Sequence, residues 1–346
     1  MAACQRGKRS LAIDITAPEA RPVVERLLRW ADVVLHNFRV GVAERLGIDE
    51  ATVAGLNPGA VYCHASAFGS SGPRARYPGN DALMQALTGF ERAVGGAGNA
   101  PVAATWIPID MTGGWVAAAG ILAGLYARAT TGRGQRVSTS LLGAGLLLQS
   151  GVFERDGELV PGPALDRAQT GYGPGYRIYR AGDGRWLALV VPDAAAWDRL
   201  RHLPGLETLD GSYTPLRNGA DGGRAAEAEA VLEAAFAAAP AATWLDRLAA
   251  AGLPAEAVRD VDRDGFRRGI LDDPLNRQIG RVASYPTEDW GAFEQIGPLL
   301  RCGPDPTGRP VLRLPGVGQH SVEVLADLGF GPDHIGALLD AKVVNG

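Results

Sequence analysis

Cysteine is scarce: Cys4, Cys63 and Cys302 are the only three in 346 residues, far apart and with no Cys-x-x-Cys pair. That excludes a disulfide framework and a cysteine zinc site, and it fits a reducing compartment. Histidine is scarce too. His36, His64, His202, His320 and His334 are scattered, and none has a second ligand at metal-binding spacing, so no metal is expected and each reads as a core or surface histidine. Charge of one sign is lacking, with a net charge of −4, which leaves neither a basic surface for nucleic acid nor an acidic tail. No uninterrupted apolar run reaches the ~18 residues that cross a bilayer. The basic start is followed only by Leu11–Ile15, too short for a signal-peptide core. These absences lead us to expect a cytoplasmic protein without membrane or nucleic-acid partners. What is present is 46% hydrophobic residues, enough for two domains or one large domain with an insertion.

Residues 10–15 alternate like a strand, residues 18–30 carry Val23, Val24, Leu27 and Leu28 at helical spacing, and residues 31–38 are apolar and β-branched at their centre. Strand, helix and strand in that order predict a βαβ unit with a parallel pair. Short helices are expected at 41–46 and 50–56, a strand at 60–68, and one helix at 81–94 with Leu83, Met84, Leu87 and Phe90 on one side. A long apolar helix opened by Asp110 reads as buried and runs to about Arg128. A strand at 136–141 and a helix at 142–150 follow. The glycine- and proline-rich stretch 157–175 reads as a loop crossing between domains. Beyond it, residues 176–191 form a hairpin around Gly182-Asp183-Gly184. Helices at 194–202, 224–238 and 241–252 complete a small α+β domain, and two last helices at 321–328 and 332–341 are expected to return to the first domain.

The pattern excludes some chemistries. Phe68-Gly-Ser-Ser-Gly72 lacks the nucleophile-elbow spacing, Walker loops are missing, and Gly171–Gly175 lacks the preceding strand and following helix of a dinucleotide fingerprint. Two places remain. Asn37-Phe38-Arg39 closes a predicted parallel strand, with Arg45 one helical turn on. Ligands of open α/β sheets gather at such strand ends, and arginines beside an aromatic face suit phosphates and a nucleotide. Asp110 sits where a helix N-cap belongs, so free first-turn amides and the helix dipole are expected to favour its ionised form. The adjacent Gly113 and Gly114 leave room for a bulky substrate group. A plain capping aspartate would give the same pattern.

Read together, these stretches resemble the class III CoA-transferase family, which includes formyl-CoA and carnitine CoA-transferases and the alpha-methylacyl-CoA racemases. The resemblance is carried by Arg6-Gly-Lys-Arg-Ser-Leu-Ala-Ile-Asp-Ile15, Ala31-Asp-Val-Val-Leu-His-Asn-Phe-Arg-Val-Gly41 and Pro78-Gly-Asn-Asp-Ala-Leu-Met-Gln-Ala-Leu-Thr-Gly89. Further on it is carried by Ile109-Asp110, Thr131-Gly-Arg-Gly-Gln-Arg-Val137 and Gly318-Gln-His-Ser-Val-Glu-Val-Leu-Ala-Asp-Leu-Gly329. It implies an α/β fold with a Rossmann-like large domain on a parallel sheet (1–160 and 290–346), a smaller α+β domain (172–285), linkers at 157–175 and 279–295, and an interlocked homodimer. It also implies coenzyme A, as acyl-CoA, as the substrate that brings the chemistry, and a carboxylic acid as acceptor.

By the same resemblance Asp110 is the catalytic aspartate, and the CoA contacts fall on Ile13, Asp14, Ile15, Thr16, Asn37, Phe38, Arg39, Arg45, Tyr77, Pro78, Gly79 and Asn80. The helix-start amides become candidates to hold an oxyanion. Where the racemases carry a histidine just before an aspartate, this chain has Asn80, which cannot shuttle a proton near neutral pH, so a transferase is preferred over a racemase. Family members also carry a strand-helix segment before the block that begins at Arg6. Its lack here leaves three expectations open, a truncated gene model, a second polypeptide that supplies the segment, or a CoA-binding subunit without turnover, and predicts poor solubility or a need for a partner.

Overall fold

The computed structural model describes residues 5–160, 162, 164–217, 222–260, 262–287, 291–298, 300 and 314–346. Cys4 and Cys302 lie outside them; Cys63 is buried and unbonded to sulfur. The chain opens with β1 (Ala12–Ile13) and α1 (Arg21–Trp30), followed by β2 (Val33–His36), α2 (Val42–Leu46), α3 (Glu50–Leu56) and β3 (Val61–Ser66). Residues α4 (Asp81–Leu87) and α5 (Phe90–Gly95) lead to α6 (Pro108–Thr131), β4 (Arg136–Ser140) and α7 (Leu141–Leu148). Strands β2, β3 and β4 form a parallel sheet in that order. The expected βαβ unit is corrected in one respect. β1 pairs antiparallel with β13 (Val344–Asn345) at the far end of the chain, not with β2.

The helix expected at 81–94 is two helices. Gly89 adopts φ +77°, a left-handed conformation that ends α4 and starts α5, so Leu83 and Leu87 face outward while Met84 is buried. α6 is long and apolar enough to cross a bilayer by length and composition. It lies along β3 and β4, where Gly120 and Gly124 allow close approach. A Cβ at Gly120 would come within 2.7 Å of Val137, and one at Gly124 within 3.0 Å of Val61. The reading of α6 as a buried helix is corrected, because Met111, Trp115, Leu122 and Tyr126 are exposed on its other side. A helix apolar all round gives no periodic signal for which side is covered.

After α7 the stretch read as a loop holds a hairpin of β5 (Phe153–Arg155) and β6 (Glu158–Val160), then β7 (Gly171–Gly173). With β8 (Tyr176–Arg180), β9 (Trp186–Val190) and β10 (Ala255–Ala257), β7 makes a four-stranded antiparallel sheet, larger than the single hairpin expected. Helices α8 (Ala194–Arg201), α9 (Gly222–Ala237) and α10 (Ala241–Ala250) pack on it around Trp197, Phe236, Trp244 and Tyr179, all buried. Short α11 (Arg263–Phe266) and α12 (Pro274–Gln278) precede an unexpected hairpin of β11 (Val282–Thr287) and β12 (Gly291–Ile296). The chain closes with α13 (Ser321–Asp327), α14 (Pro332–Asp340) and β13. As expected, this end returns to the start: Leu325, Phe330, Ile335 and Leu338 share a core with Ala20 and Val23.

Candidate active site

A cavity of about 530 Å³ opens at the carboxyl ends of β2, β3 and β4. Its wall includes Asn37 and Arg39 after β2, Ser66 at the end of β3, Ser140 at the end of β4, Tyr77 and Gly79 from the segment before α4, and Asp110, Gly114, Ala118 and Ile121 along α6. Parallel strands aim their carboxyl ends at one edge of the sheet, so three strand ends and one helix start converge there.

Asp110 is the third residue of α6, not its cap. The helix begins at Pro108, and Ile107 before it is left-handed, with φ 51° and no side-chain cap. The cap comes from 28 residues away. Buried Asp81 accepts the Ile109 amide at 2.9 Å and the Asp110 amide at 2.8 Å through one carboxylate oxygen. Its other oxygen accepts from Gln85, whose amide group also bonds both polar atoms of Ala104, at 2.9 Å each. Met111 donates to the Ile107 carbonyl at 3.1 Å. The helix-start amides are therefore spent on Asp81 and Ile107, and the expectation that they hold an oxyanion is corrected.

The same arrangement reverses the expected electrostatics of Asp110. Burial pushes its carboxyl above the usual aspartate value, and the charge of Asp81 pushes it further up. No described residue donates a hydrogen bond to its side-chain oxygens. Of the two glycines beside it, Gly114 opens into free space, whereas Gly113 packs on Leu141 and Ala144.

Of the residues named for CoA, Asn37, Arg39, Tyr77 and Gly79 line this cavity with Asp110. Phe38 lies between them, its ring stacked on His36. Pro78, Asn80 and Arg45 are not on the cavity wall; Asn80 caps α4 by accepting the Leu83 amide at 3.1 Å. Ile13–Thr16 are also off that wall. Ile13 packs against the core of α13 and α14, and Ile15 against that of α1 and α3. Asp14 turns back on Thr16, accepting its hydroxyl at 2.6 Å, and this bond holds the Asp14 carboxyl below its usual value. Sequence reasoning missed Asp81, Gln85, His36 and His64. His36 carried one usable signal, its place near the end of the strand expected at 31–38, whereas His64 falls at the middle of the strand expected at 60–68.

Residues 1–321 match the model of CoA-transferase family III, and the chain belongs to that family. It is 28% identical to alpha-methylacyl-CoA racemase from Homo sapiens, over 98% of this chain and 85% of that one. It is 29% identical to acetyl-CoA:oxalate CoA-transferase from Acetobacter aceti, over 74% of this chain and 66% of that one. Among solved structures, Rv3272 from Mycobacterium tuberculosis superposes with a TM-score of 0.73 at 24% identity, covering 93% of this chain and 84% of that one. A CaiB/BaiF family protein from Brucella suis gives 0.67 at 24%, covering 94% and 82%.

Proposed function

We propose that this chain is an acyl-CoA:carboxylate CoA-transferase with Asp110 as nucleophile. The observation that carries the proposal is the contrast between two neighbouring carboxylates. Asp81 is buried and saturated with hydrogen bonds, while Asp110 faces the cavity with no described donor on its oxygens and with its pKa raised. A carboxylate stripped of donors keeps its electron density for attack.

One Asp110 oxygen would attack the thioester carbonyl, and the carbon–sulfur bond breaks to give an aspartyl anhydride and CoA thiolate. The thiolate attacks the aspartyl carbonyl and releases the first carboxylate, leaving an aspartyl-CoA thioester. The acceptor carboxylate attacks that thioester to form a new anhydride, and the thiolate returns to the acceptor's carbonyl, freeing Asp110. Oxyanion donors must come from outside the start of α6. Ser66 and Ser140 on the cavity wall suit the role: their Oγ atoms each accept a backbone amide at 3.0 Å, from Gly69 and Gly143, which leaves each hydroxyl proton to donate.

A racemase needs a second acid–base group facing Asp110 across the substrate. Asn80 spends its oxygen on the α4 cap, and His36, the one histidine among the described residues of the cavity wall, has both ring nitrogens engaged. That favours transfer over proton exchange.

The test is intact-protein mass spectrometry after incubation with a panel of acyl-CoAs, with wild type beside Asp110→Ala. A CoA-sized adduct that hydroxylamine removes and that needs Asp110 is the expected result. α-Proton exchange of an acyl-CoA in deuterated water, with no adduct from any donor, would replace the transferase by a racemase.

A further inference from the structure

His36 ends β2 and pairs in register with His64 on β3, and the two imidazoles stack at 4.7 Å between centroids with 25° between their planes. Both are buried. Each holds one polar atom of the same residue. The Phe38 amide donates to His36 Nδ1 at 3.2 Å, and the Phe38 carbonyl lies 2.7 Å from His64 Nε2. A carbonyl only accepts, so the His64 proton sits on Nε2. An amide only donates, so His36 Nδ1 is bare and its proton sits on Nε2, which donates to the Tyr62 hydroxyl at 2.6 Å.

We infer that His36 and His64 are positioning residues, a two-point clamp on Phe38 that presets Asn37 and Arg39 for the CoA end of the substrate, and that the clamp holds only while His36 is neutral. The inference rests on reading the cavity as the acyl-CoA site. The chemistry is asymmetric. Protonating His64 leaves its Nε2 donor in place, whereas protonating His36 puts a proton on Nδ1 against the Phe38 amide and breaks that bond. The ionisable and charged groups around His36 are Tyr62 and His64 on β3, Glu44 on α2, and Arg39 and Asp110 on the cavity wall. Burial and then His64 lower the His36 pKa below its usual 6.5, with Glu44 opposing them. Acidification through that lowered pKa therefore frees the Phe38 amide, while His64 still holds the Phe38 carbonyl.

Titration calorimetry with coenzyme A measures the ligand side, and hydrogen–deuterium exchange of the free chain over 37–40 measures the clamp. His36→Asn keeps an acceptor near the Nδ1 position, and His64→Gln keeps a donor near the Nε2 position; the Leu variants keep neither. At pH 8 we expect His36→Leu and His64→Leu to bind CoA roughly tenfold more weakly, the value of a lost buried hydrogen bond. Exchange over 37–40 should quicken in both while the β8–β9 hairpin stays protected, and Asn and Gln should restore binding and protection. As the pH falls from 7 through the lowered His36 pKa, the wild type should lose affinity relative to His36→Asn. Comparing these two cancels the titration of the ligand's own phosphate, whose second pKa is about 6. Unchanged exchange in both Leu variants overturns the clamp. Parallel pH profiles for wild type and His36→Asn overturn its dependence on His36 charge. A wild type that protects 37–40 yet binds no CoA at any pH overturns the CoA reading and, with it, the clamp's proposed ligand.

Discussion

At the scale of the residue, Asp81 and Asp110 are one electrostatic unit, and substituting either changes the other. Asp81→Ala leaves the Ile109 and Asp110 amides without their acceptor at a buried helix start, and we expect a loss of about 2–3 kcal/mol in chemical denaturation. Asp81→Asn removes the charge while keeping one acceptor oxygen, so the Asp110 pKa should fall toward 3.8 without reaching it, since burial remains the larger cause. A carboxyl-carbon NMR titration of Asp110 in the two backgrounds measures this, and an unmoved midpoint removes Asp81 as a cause. The sign for stability follows from the raised value. What Asp110 contributes is fully present below pH 3.8 and is lost as pH rises through its folded pKa, so Asp110→Asn should melt higher than wild type at neutral pH and no higher at pH 3. Asp110 drew notice in the sequence from its place at the start of an apolar helix and beside two glycines, a pattern that a plain cap would share, and its catalytic role was implied only by the family resemblance. Its partner was not legible, because a cap supplied from 28 residues away leaves no local trace, and a left-handed Ile107 is not signalled by residue type.

At the scale of the element, the small sheet is joined to the start of its own domain by a buried ion network. Arg177 on β8 reaches Asp166 at 3.2 Å and Glu229 of α9 at 2.9 Å, with all three side chains under a tenth exposed, and Glu233 and Arg217 complete it. Burial pushes the Asp166 carboxyl up, but the Thr170 hydroxyl and amide and the two arginines outweigh it, so the group sits below its usual value. Its stabilising share is present above pH 3.8 and is lost as pH falls through that lowered value. Arg177→Ala takes one of two arginines away from buried Asp166 and Glu229 and leaves them only Arg217, and we expect a cost of about 3 kcal/mol, with part of the loss recovered at acidic pH as Asp166 takes a proton. A urea titration at two pH values checks it; an equal loss at both would mean that lost packing, not unpaired charge, is the cause.

The β8–β9 hairpin was readable from the Gly182-Asp183-Gly184 turn between two apolar runs, and the helices from alanine-rich stretches, whereas β7 and β10 were not. Nor was the network, because Asp166 falls in a segment whose glycines and prolines read only as loop. Its backbone also bonds the turn after α5, with Ala97 donating to the Leu165 carbonyl at 3.0 Å.

At the scale of the whole molecule, the decisive feature is the apolar side of α6. Met111, Trp115, Leu122 and Tyr126 are each about half exposed or more, and Leu146, Leu147 and Phe153 nearby in sequence are exposed as well. So much exposed large apolar surface is unusual for a chain that stands alone, and we propose that a partner covers it. The resemblance implied an interlocked homodimer, and a second copy of this chain is the cover we propose. Covering these side chains removes their apolar area from water at about 25 cal/mol per Å², so an interface built on them should be of the large, apolar, obligate kind. Light scattering behind size exclusion should then report a dimer that persists on dilution. Leu122→Glu with Tyr126→Glu should shift the mass toward monomer, because two charges would be buried without partners, while a single chain keeps its core since both side chains already face outward. A wild-type chain that runs as a well-folded monomer at high concentration would mean that some other surface covers α6. Because Met111 and Trp115 flank Asp110 on the same helix, loss of the dimer should also reduce formation of the Asp110 adduct. A monomeric variant that forms the adduct at the wild-type rate would separate assembly from catalysis.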